Sequence, residues 1–501
     1  MVAVSLNAGI RKETLGTRGV YGPGRYVPGA FTILVVVAAV AGLVLRVWIL
    51  ASPLGALDSD EAISGLMALH MLDGEVSALY WLGNYGGTLE SAVAALVFAV
   101  FGSSVVALKL TTLALFAAAA VLTWRVGIRT VGPRAALAGA ALFWISPAYF
   151  VWWSTKARAF YGMGVFLALI IFLLALRLRD QGSRRDAAFL GLAVGLGWWT
   201  SPGVLVLAAP VLVWLVWRRP SVVRLVPFAL PGLVIGIAPW LAWNVRNGWL
   251  SLDLSPVASE QSTFVDRLAN LFHYVLPTWL GLRVPFSLDW LLGPLVGWVG
   301  LGVALAGFAV LVARRRPALE PLLLTAALFP LLYALSKFTY YAAEPRYVVY
   351  LSPVLALLAG SALVTPLRAW VALAAALTLS VAGLVQMHRE QLFQPLAQDV
   401  PVPSDLGGVI GLLEQEGENR VLANYWIAYR ISFESAERVI ATSTGFVRYQ
   451  PHDTLVRRSA YPARVYVQGS TVEARARTEL RSRGYRRLET GGFVVYVRDS
   501  A

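Results

Sequence analysis

The chain has 501 residues, of which 58% are hydrophobic and 14% are charged, and its mean hydropathy is +0.66. It contains many apolar runs of about 20 residues, each long enough to cross a bilayer, so the composition excludes a soluble globular protein and predicts a polytopic α-helical membrane protein. The net charge of +14 reflects arginines in short turns between these runs, which are typical topology signals and do not indicate a nucleic-acid partner. The chain has no cysteine, which excludes disulfides and thiolate metal sites.

The charged turns predict how the chain threads the membrane. Basic residues before the first apolar run predict a cytoplasmic N-terminal segment over 1–30, because positive charge is retained inside. The apolar run at 88–101 is too short to span and is predicted to lie at the interface. The other runs predict eleven spans, over 31–50, 105–124, 135–150, 160–176, 187–199, 203–217, 225–243, 291–313, 319–336, 347–365 and 370–387. A multi-pass module over 31–387 in a bacterial inner membrane follows, with its first outer loop over 51–104.

This first outer loop carries the densest group of acids in the chain, between residues 57 and 90. Apolar residues at helical spacing predict a short helix in which Asp58 is the N-cap and Glu61 closes a capping box. Asp60 then lies in the first turn, where the helix dipole favours an ionised carboxylate. We predict Asp60 as the carboxylate available for chemistry, and a surface acid that only complements the dipole is the alternative.

Metal ligands of two kinds occur in the sequence. Four histidines are scattered along the chain, and we expect no metal site built from them. They are His70, His273, His388 and His452. The acids Asp58, Asp60 and Glu61 offer oxygen ligands that suit a hard divalent cation, so such a cation is the one cofactor that the sequence suggests.

A second outer segment, over 146–161, combines aromatic residues with cations. Arg158 follows Trp152 and Trp153 at the predicted outer surface, and a guanidinium amid aromatic rings at headgroup depth suits a lipid phosphate. An interfacial aromatic belt with cations that reach the headgroups is the alternative. We favour a binding role for Arg158.

A third outer segment, over 336–353, brings more cations and tyrosines to the same side. Arg346 immediately precedes an apolar run, so it is either a phosphate ligand or an ordinary residue whose charge reaches the membrane surface. Lys337, Tyr341 and Tyr347 accompany it in this segment.

From about residue 389 the composition changes, because charge rises and long apolar runs cease. Mixed patterns over 405–416, 420–423, 438–441, 464–467, 472–483 and 492–497 predict a small extracytoplasmic α/β domain over 388–501. A domain of about 110 residues is large enough to fold alone. It has no nucleotide-binding fingerprint, so we expect it to recognise a substrate, cover the site or only stabilise the fold.

Four short motifs follow one another on the predicted outer side. They are Asp60-Glu61-Ala62, Phe101-Gly102 leading to Leu108-Lys109-Leu110, the segment from Ser146-Pro147 to Arg158, and Arg346-Tyr347 followed by Pro353. In this order and sidedness they resemble the GT-C superfamily of membrane glycosyltransferases, specifically glycosyltransferase family 39, the protein O-mannosyltransferase and aminoarabinose-transferase type. The stretches DEA, GLMALH, YGGTLE and YWIAYRISFES are most similar to a bacterial branch of that family.

The resemblance implies an all-α GT-C membrane enzyme that moves a sugar from a polyprenyl-phosphate donor to an extracytoplasmic acceptor hydroxyl, on a glycan, lipid or protein, with inversion. It implies Asp60 as the general base, and Arg158 and Arg346 as the residues that hold the phosphate. The further substrate-binding residues that it indicates are Glu61, Lys156, Lys337, Tyr341 and Tyr347.

One position departs from the family pattern. Relatives often have an acid two residues before the arginine of the second outer segment, where this chain has Lys156. Either Lys156 adds a phosphate contact or the branch works without a second carboxylate, which puts the metal role known in some relatives in doubt. The main alternative function is a transporter or lipid-linked-sugar flippase, and a degenerate enzyme that only scaffolds partners is another. Spans almost free of charge argue against transport.

Overall fold

The computed structural model describes residues 29–83, 85–253, 262–397 and 399–498, so the predicted cytoplasmic segment over 1–30 lies almost wholly outside the described residues. Up to residue 390 the described chain is helical. Its α-helices are α1 Ala30–Leu50, α2 Ser59–Leu72, α3 Leu89–Phe101, α4 Val105–Thr130, α5 Pro133–Ile145, α6 Ala148–Trp153, α7 Tyr161–Gln181, α8 Arg184–Thr200, α9 Leu205–Arg218, α10 Val226–Arg246, α11 Phe264–Asn270, α12 Leu276–Trp279, α13 Pro294–Ala313, α14 Glu320–Leu335, α15 Ser352–Gly360 and α16 Pro366–Glu390.

Seven helices in the described chain are long and apolar enough to cross a membrane, namely α1, α4, α7, α10, α13, α14 and α16, with short 3₁₀ turns leading into α10 and α14. The protein is therefore a multi-pass membrane protein. The predicted count of eleven spans is not confirmed, because helices such as α5 and α15, of 13 and 9 residues, are shorter than a full crossing.

Proline explains one of these shorter helices. The span predicted over 135–150 is divided, since α5 ends at Ile145 and α6 begins at Ala148. Pro147 lacks an amide hydrogen and disfavours a helical conformation at the residue before it, and Ser146 accordingly has extended backbone angles. The chain then continues into a second outer segment that is enclosed by protein.

The helix of the first outer loop forms as predicted. The Asp58 side chain accepts from the Glu61 amide, and the Glu61 side chain accepts in return from the Asp58 amide, so the capping box is confirmed. Most of α2 is buried, between α3 on one side and the C-terminal domain on the other. A side chain at Gly65 would collide with the ring of Phe433, so glycine permits this close approach.

The region after α16 is a small α/β domain. Its elements are β1 Leu396–Ala397, β2 Val400–Pro401, α17 Gly407–Gln415, β3 Arg420–Ala423, α18 Tyr425–Glu434, β4 Ile440–Ser443, α19 Gln450–Arg458, β5 Ala463–Val467, α20 Thr471–Ser482, β6 Tyr485–Thr490 and β7 Phe493–Arg498. Five strands form a mixed sheet in the order β4-β3-β5-β7-β6, in which β3 pairs in parallel with β4 and β5 and the other pairs are antiparallel.

The predicted fold class, an all-α membrane module with a small C-terminal α/β domain, is confirmed. Within that domain the sequence patterns correctly locate α17, β3, β4, β5, α20 and β7 to within a few residues. They miss α18, α19, β6 and the two-residue strands β1 and β2. The first of these, α18, packs directly on α2 of the outer loop and so connects the two parts of the protein.

Candidate active site

A cavity of about 400 Å³ opens where the outer loops of the membrane module meet the C-terminal domain. Its walls come from the first, second and third outer segments and from the loop after β4. The described residues that line it are Asp60, Tyr80, Leu82, Gly83, Tyr85, Arg158, Ala159, Phe160, Tyr161, Arg346, Phe446 and Arg448. Asp60, Arg158 and Arg346, predicted from three distant segments, are thus brought to one cavity.

Asp60 is positioned from both sides of the domain junction. It lies in the first turn of α2, where Tyr425 from the start of α18 donates a hydrogen bond of 2.6 Å to its Oδ1. The hydroxyl of Tyr80 donates to the Asp60 backbone carbonyl at 2.6 Å, and Ser59 donates to the Tyr425 carbonyl at 2.6 Å. Asp60 is half-buried, so its carboxylate is held in place while it still faces the cavity.

Arg158 belongs to a chain of alternating charges at the edge of the cavity. Its guanidinium lies 2.8 Å from Oδ2 of Asp58 and 3.3 Å from Oε1 of Glu344. Glu344 in turn lies 3.8 Å from the guanidinium of Arg346. Burial opposes the ionisation of Asp58, yet Arg158 and Lys156 hold the pKa of this carboxyl well below its usual range.

The third arginine of the cavity, Arg448, comes from the C-terminal domain. Its Nε donates to the Tyr425 hydroxyl at 3.3 Å, and its Nη1 donates to the Trp81 carbonyl at 3.4 Å. Burial tends to lower the pKa of Arg448, but Tyr425, Tyr80 and Asp60 outweigh burial and raise it above the ordinary value. The guanidinium is therefore a permanent charge beside Asp60.

Glu61 and Lys156 lie beneath the cavity and do not line it. Glu61 is fully buried; its Oε1 accepts from Lys109 at 2.6 Å and from the Ala157 amide at 2.8 Å, and its Oε2 accepts from Lys156 at 2.9 Å. These bonds occupy both carboxylate oxygens. We therefore reassign Glu61 and Lys156 from substrate contact to positioning, since they hold the segment that carries Arg158 against α2.

The divalent-cation site predicted at Asp58, Asp60 and Glu61 does not agree with the side chains that surround it. Asp58 is paired with Arg158 and Lys156, and Glu61 with two lysines. Cationic side chains already neutralise these two carboxylates, and a divalent metal would have to displace them. The residues present do not fit a cation at Asp58, Asp60 and Glu61.

The tryptophans of the second outer segment are not an interfacial belt. Trp152 and Trp153 have no exposed surface, and the Trp152 indole donates to the Leu54 carbonyl at 2.9 Å. The Arg158 guanidinium lies 5.3 Å from the ring centre of Trp153. These rings form an apolar base under the cavity arginine.

The remaining predicted residues lie around Arg346. The Arg346 guanidinium is 5.4 Å from the ring centre of Tyr347, whose ring also approaches that of Tyr161. Tyr341 is half exposed and Lys337 is exposed, and neither is among the described residues that line the cavity. The structure therefore brings Tyr347 close to the site but leaves Tyr341 and Lys337 at its periphery.

Sequence reasoning missed several polar or aromatic residues of this site, among them Tyr80, Tyr85, Phe160, Tyr425, Phe446 and Arg448. Tyr425 begins the stretch YWIAYRISFES, whose sequence indicates a family likeness but no contact with Asp60. Its contact with Asp60 spans 365 positions in the sequence, and no local pattern reports such a pairing.

Solved structures share this architecture. ArnT from Cupriavidus metallidurans bound to undecaprenyl phosphate matches over 93% of this chain and 98% of its own, with a TM-score of 0.65 and 13% sequence identity. The chain has the GT-C fold. The oligosaccharyltransferase of Archaeoglobus fulgidus, in complex with Zn and sulfate, matches over 93% of this chain and 73% of its own, with a TM-score of 0.50 and 12% identity. No protein-family model and no curated protein matches the sequence.

The predicted likeness to the GT-C superfamily is thus confirmed as a likeness of fold, while its narrower form, family 39, stays a prediction. The charged cavity residues come from the outer segments of the membrane module and from the C-terminal domain. The C-terminal domain is consequently part of the candidate site and more than a stabilising cap.

Proposed function

We propose that this protein is an integral-membrane glycosyltransferase that moves a sugar from a polyprenyl-phosphate donor to an extracytoplasmic acceptor hydroxyl. The observation that carries the proposal is the cavity in which Asp60 faces Arg158, Arg346 and Arg448. Among the described residues that line the cavity, three guanidinium groups accompany one carboxylate, while Asp58 and Glu344, outside the lining, pair with Arg158 and Arg346. The guanidinium groups suit a phosphate group, whose negative charge increases when its bond to the sugar breaks.

The chemistry assigns a role to each group. The acceptor oxygen attacks the anomeric carbon and forms the new glycosidic bond, while the bond between that carbon and the phosphate oxygen breaks. Asp60 takes the acceptor proton as general base, and polyprenyl phosphate departs with the electron pair. Arg158 and Arg346 stabilise the departing phosphate, and a single displacement of this kind inverts the anomeric configuration.

Tyr425 prepares the base for this role. A phenol that donates to Oδ1 of Asp60 fixes the plane of the carboxylate without neutralising its charge. Tyr425 in turn accepts from Arg448, so the orientation of the base is linked to a cavity cation. Asp60 can thus accept a proton next to a bound phosphate, because a neutral phenol and not a cation holds its carboxylate.

The comparisons support the donor class. ArnT, with the same fold, was solved bound to undecaprenyl phosphate, and the cavity described here has the cationic groups that such a headgroup requires. A transporter finds less support, because the charged lining comes from outer segments and the C-terminal domain and not from the middle of the spans.

Replacement of the base tests the proposal. Purified protein is incubated with a panel of radiolabelled polyprenyl-phosphate sugars and acceptors, and Asp60→Asn is expected to reduce transfer about 10²–10⁴-fold while donor binding is retained. Asp73→Asn is the matched control, since Asp73 is an exposed acid at the other end of α2. Full activity of Asp60→Asn with a donor that the native protein uses would show that Asp60 is not the base.

A further inference from the structure

A cluster of histidine and glutamate joins the far end of α2 to the C-terminal domain. Nε2 of His70 lies 2.8 Å from Oε1 of Glu437, and Nε2 of His452 lies 2.9 Å from the same oxygen. The three ligand atoms lie within 4.8 Å of one another. Folding brings His70 and His452 together from positions 382 residues apart, so their distance along the sequence does not separate this pair in space.

The surroundings of His70 match those of a metal ligand. Its other ring nitrogen, Nδ1, lies 2.8 Å from Oε2 of Glu75, and the hydroxyl of Tyr449 donates to the same oxygen at 2.7 Å. When Nδ1 carries a proton that a carboxylate accepts, the lone pair of Nε2 is left to bind a metal. Carboxylate–histidine pairs of this kind orient metal-ligating imidazoles in proteins.

Aromatic rings enclose the cluster. The ring of Tyr449 stacks on Trp81 with 4.1 Å between centroids, and it approaches the edges of His70 and His452, each at 4.9 Å. His452 is only 4% exposed, whereas a quarter of the Glu437 side chain remains accessible. The donor set is thus rigid on its inner side and reachable from solvent through Glu437.

We propose that His70, Glu437 and His452 bind one divalent zinc ion that fastens the C-terminal domain to α2. Two imidazole nitrogens and one carboxylate oxygen are a donor set that zinc prefers, with a water molecule as fourth ligand. Bond lengths of about 2.0–2.1 Å in a tetrahedron separate the ligand atoms by about 3.3 Å, so small side-chain rotations are enough to admit the ion.

The proposed ion has a structural role. His70 lies ten positions after Asp60 on α2, which places the ion roughly 15 Å from the candidate base. The C-terminal domain also holds the opposite end of α2, through Tyr425. Zinc at His70 would thus fix α2 at both ends and set the position of the cavity wall that Arg448 and Tyr425 provide.

Metal content of the purified full-length protein tests the proposal independently of any enzymatic activity. Chelator-treated protein is loaded with ZnCl₂ and desalted, and its zinc content is measured by inductively coupled plasma mass spectrometry. Competition against a zinc-binding dye gives the dissociation constant. We expect one zinc per chain in the native protein and a rise of the melting temperature by a few degrees on loading. Both should be lost in His70→Ala and His452→Ala.

Two further variants keep the result interpretable. His273→Ala removes a histidine outside the cluster and should bind zinc like the native protein. Glu75→Gln keeps all three ligands but loses the carboxylate behind His70, and it should bind zinc about 10–100-fold more weakly while the protein stays monodisperse. Less than 0.1 zinc per native chain, or equal zinc content in native and His452→Ala proteins, would refute the site and leave the cluster as a hydrogen-bonded contact only.

Discussion

Asp60 and Glu61 are neighbours in the sequence, yet the structure gives them opposite environments. Glu61 is fully buried, and two lysines and two backbone amides saturate its carboxylate. Asp60 faces a cavity and accepts from a neutral phenol. Consecutive residues on a helix point about 100° apart, which is sufficient to send one carboxylate into the protein and the other towards solvent.

The difference shows what distinguishes a structural carboxylate from a reactive one. A carboxylate whose partners are buried cations is already neutralised and cannot accept a proton or a ligand without disrupting the fold. A carboxylate held by a neutral donor keeps its charge and remains accessible. We call Glu61 with Lys109 and Lys156 the buried layer, and Asp60 with Tyr425 the cavity layer. The cavity depends on the buried layer, because Glu61 anchors the segment that presents Arg158 to it.

The largest effect is expected when the buried layer is broken. Glu61→Gln leaves the buried Lys109 without its counter-charge and leaves Lys156 with Asp58 alone, at 3.5 Å. Loss of these buried pairs should lower the free energy of unfolding by about 3–5 kcal/mol. Thermal melting in detergent, monitored by size-exclusion chromatography, measures this loss of stability. Asp60→Asn is the matched control and should melt like the native protein; a Glu61→Gln melting temperature equal to the native value would contradict a structural role for Glu61.

A smaller effect is expected in the cavity layer. Tyr425→Phe removes the hydrogen bond to Oδ1 of Asp60 and keeps the ring, so transfer should fall about 10–100-fold, in keeping with about 1.5–3 kcal/mol for a bond to a charged group. The assay is single-turnover transfer at saturating donor. Tyr461→Phe, at a half-exposed position of the same domain, serves as control. Native activity in Tyr425→Phe would mean that Asp60 is oriented by other contacts.

The smallest effect concerns a second saturated carboxylate, Glu473 in α20. Burial opposes its ionisation, but hydrogen bonds from Arg477, Tyr496 and Arg487 lower its pKa to about 2. Because the folded pKa lies below the ordinary value of 4.5, Glu473 stabilises the domain fully above pH 4.5, and this contribution is lost as the pH falls through about 2. Because the arginine partners are partly exposed and solvent screens them, this contribution to the free energy of unfolding is only about 1–2 kcal/mol.

Amide-exchange protection factors in β6 and β7 of the full-length protein, corrected for intrinsic rates, report this loss. Native protection should decline between pH 4.5 and 2, and Glu473→Gln should flatten the decline. Glu479→Gln alters an exposed acid on the same helix and should leave the pH profile unchanged. If the pH dependence of protection is the same in the native and Glu473→Gln proteins, the ionised Glu473 carboxylate does not stabilise the domain.

Local features of the chain could be predicted from the sequence alone. The capping box at Asp58 and Glu61 depends on residues three positions apart, and strands such as β3 and β7 follow from short apolar patterns. By contrast, α18 has seven consecutive buried residues from Ile427 to Phe433, so it lacks the polar face by which a surface helix is recognised. The predicted span over 135–150 failed because Pro147 ends a helix that hydropathy alone would continue.

The sequence by itself determined the membrane class, the order of the outer segments and the local cap that places Asp60 in the first turn of a helix. All of these rest on composition or on residues within a few positions of each other. Only the tertiary structure decided that Glu61 is sealed by lysines, that Tyr425 and Arg448 complete the cavity, and that His70 meets His452. Those contacts join segments far apart along the chain, and which partners meet depends on how the two domains pack, a property that no local spacing records.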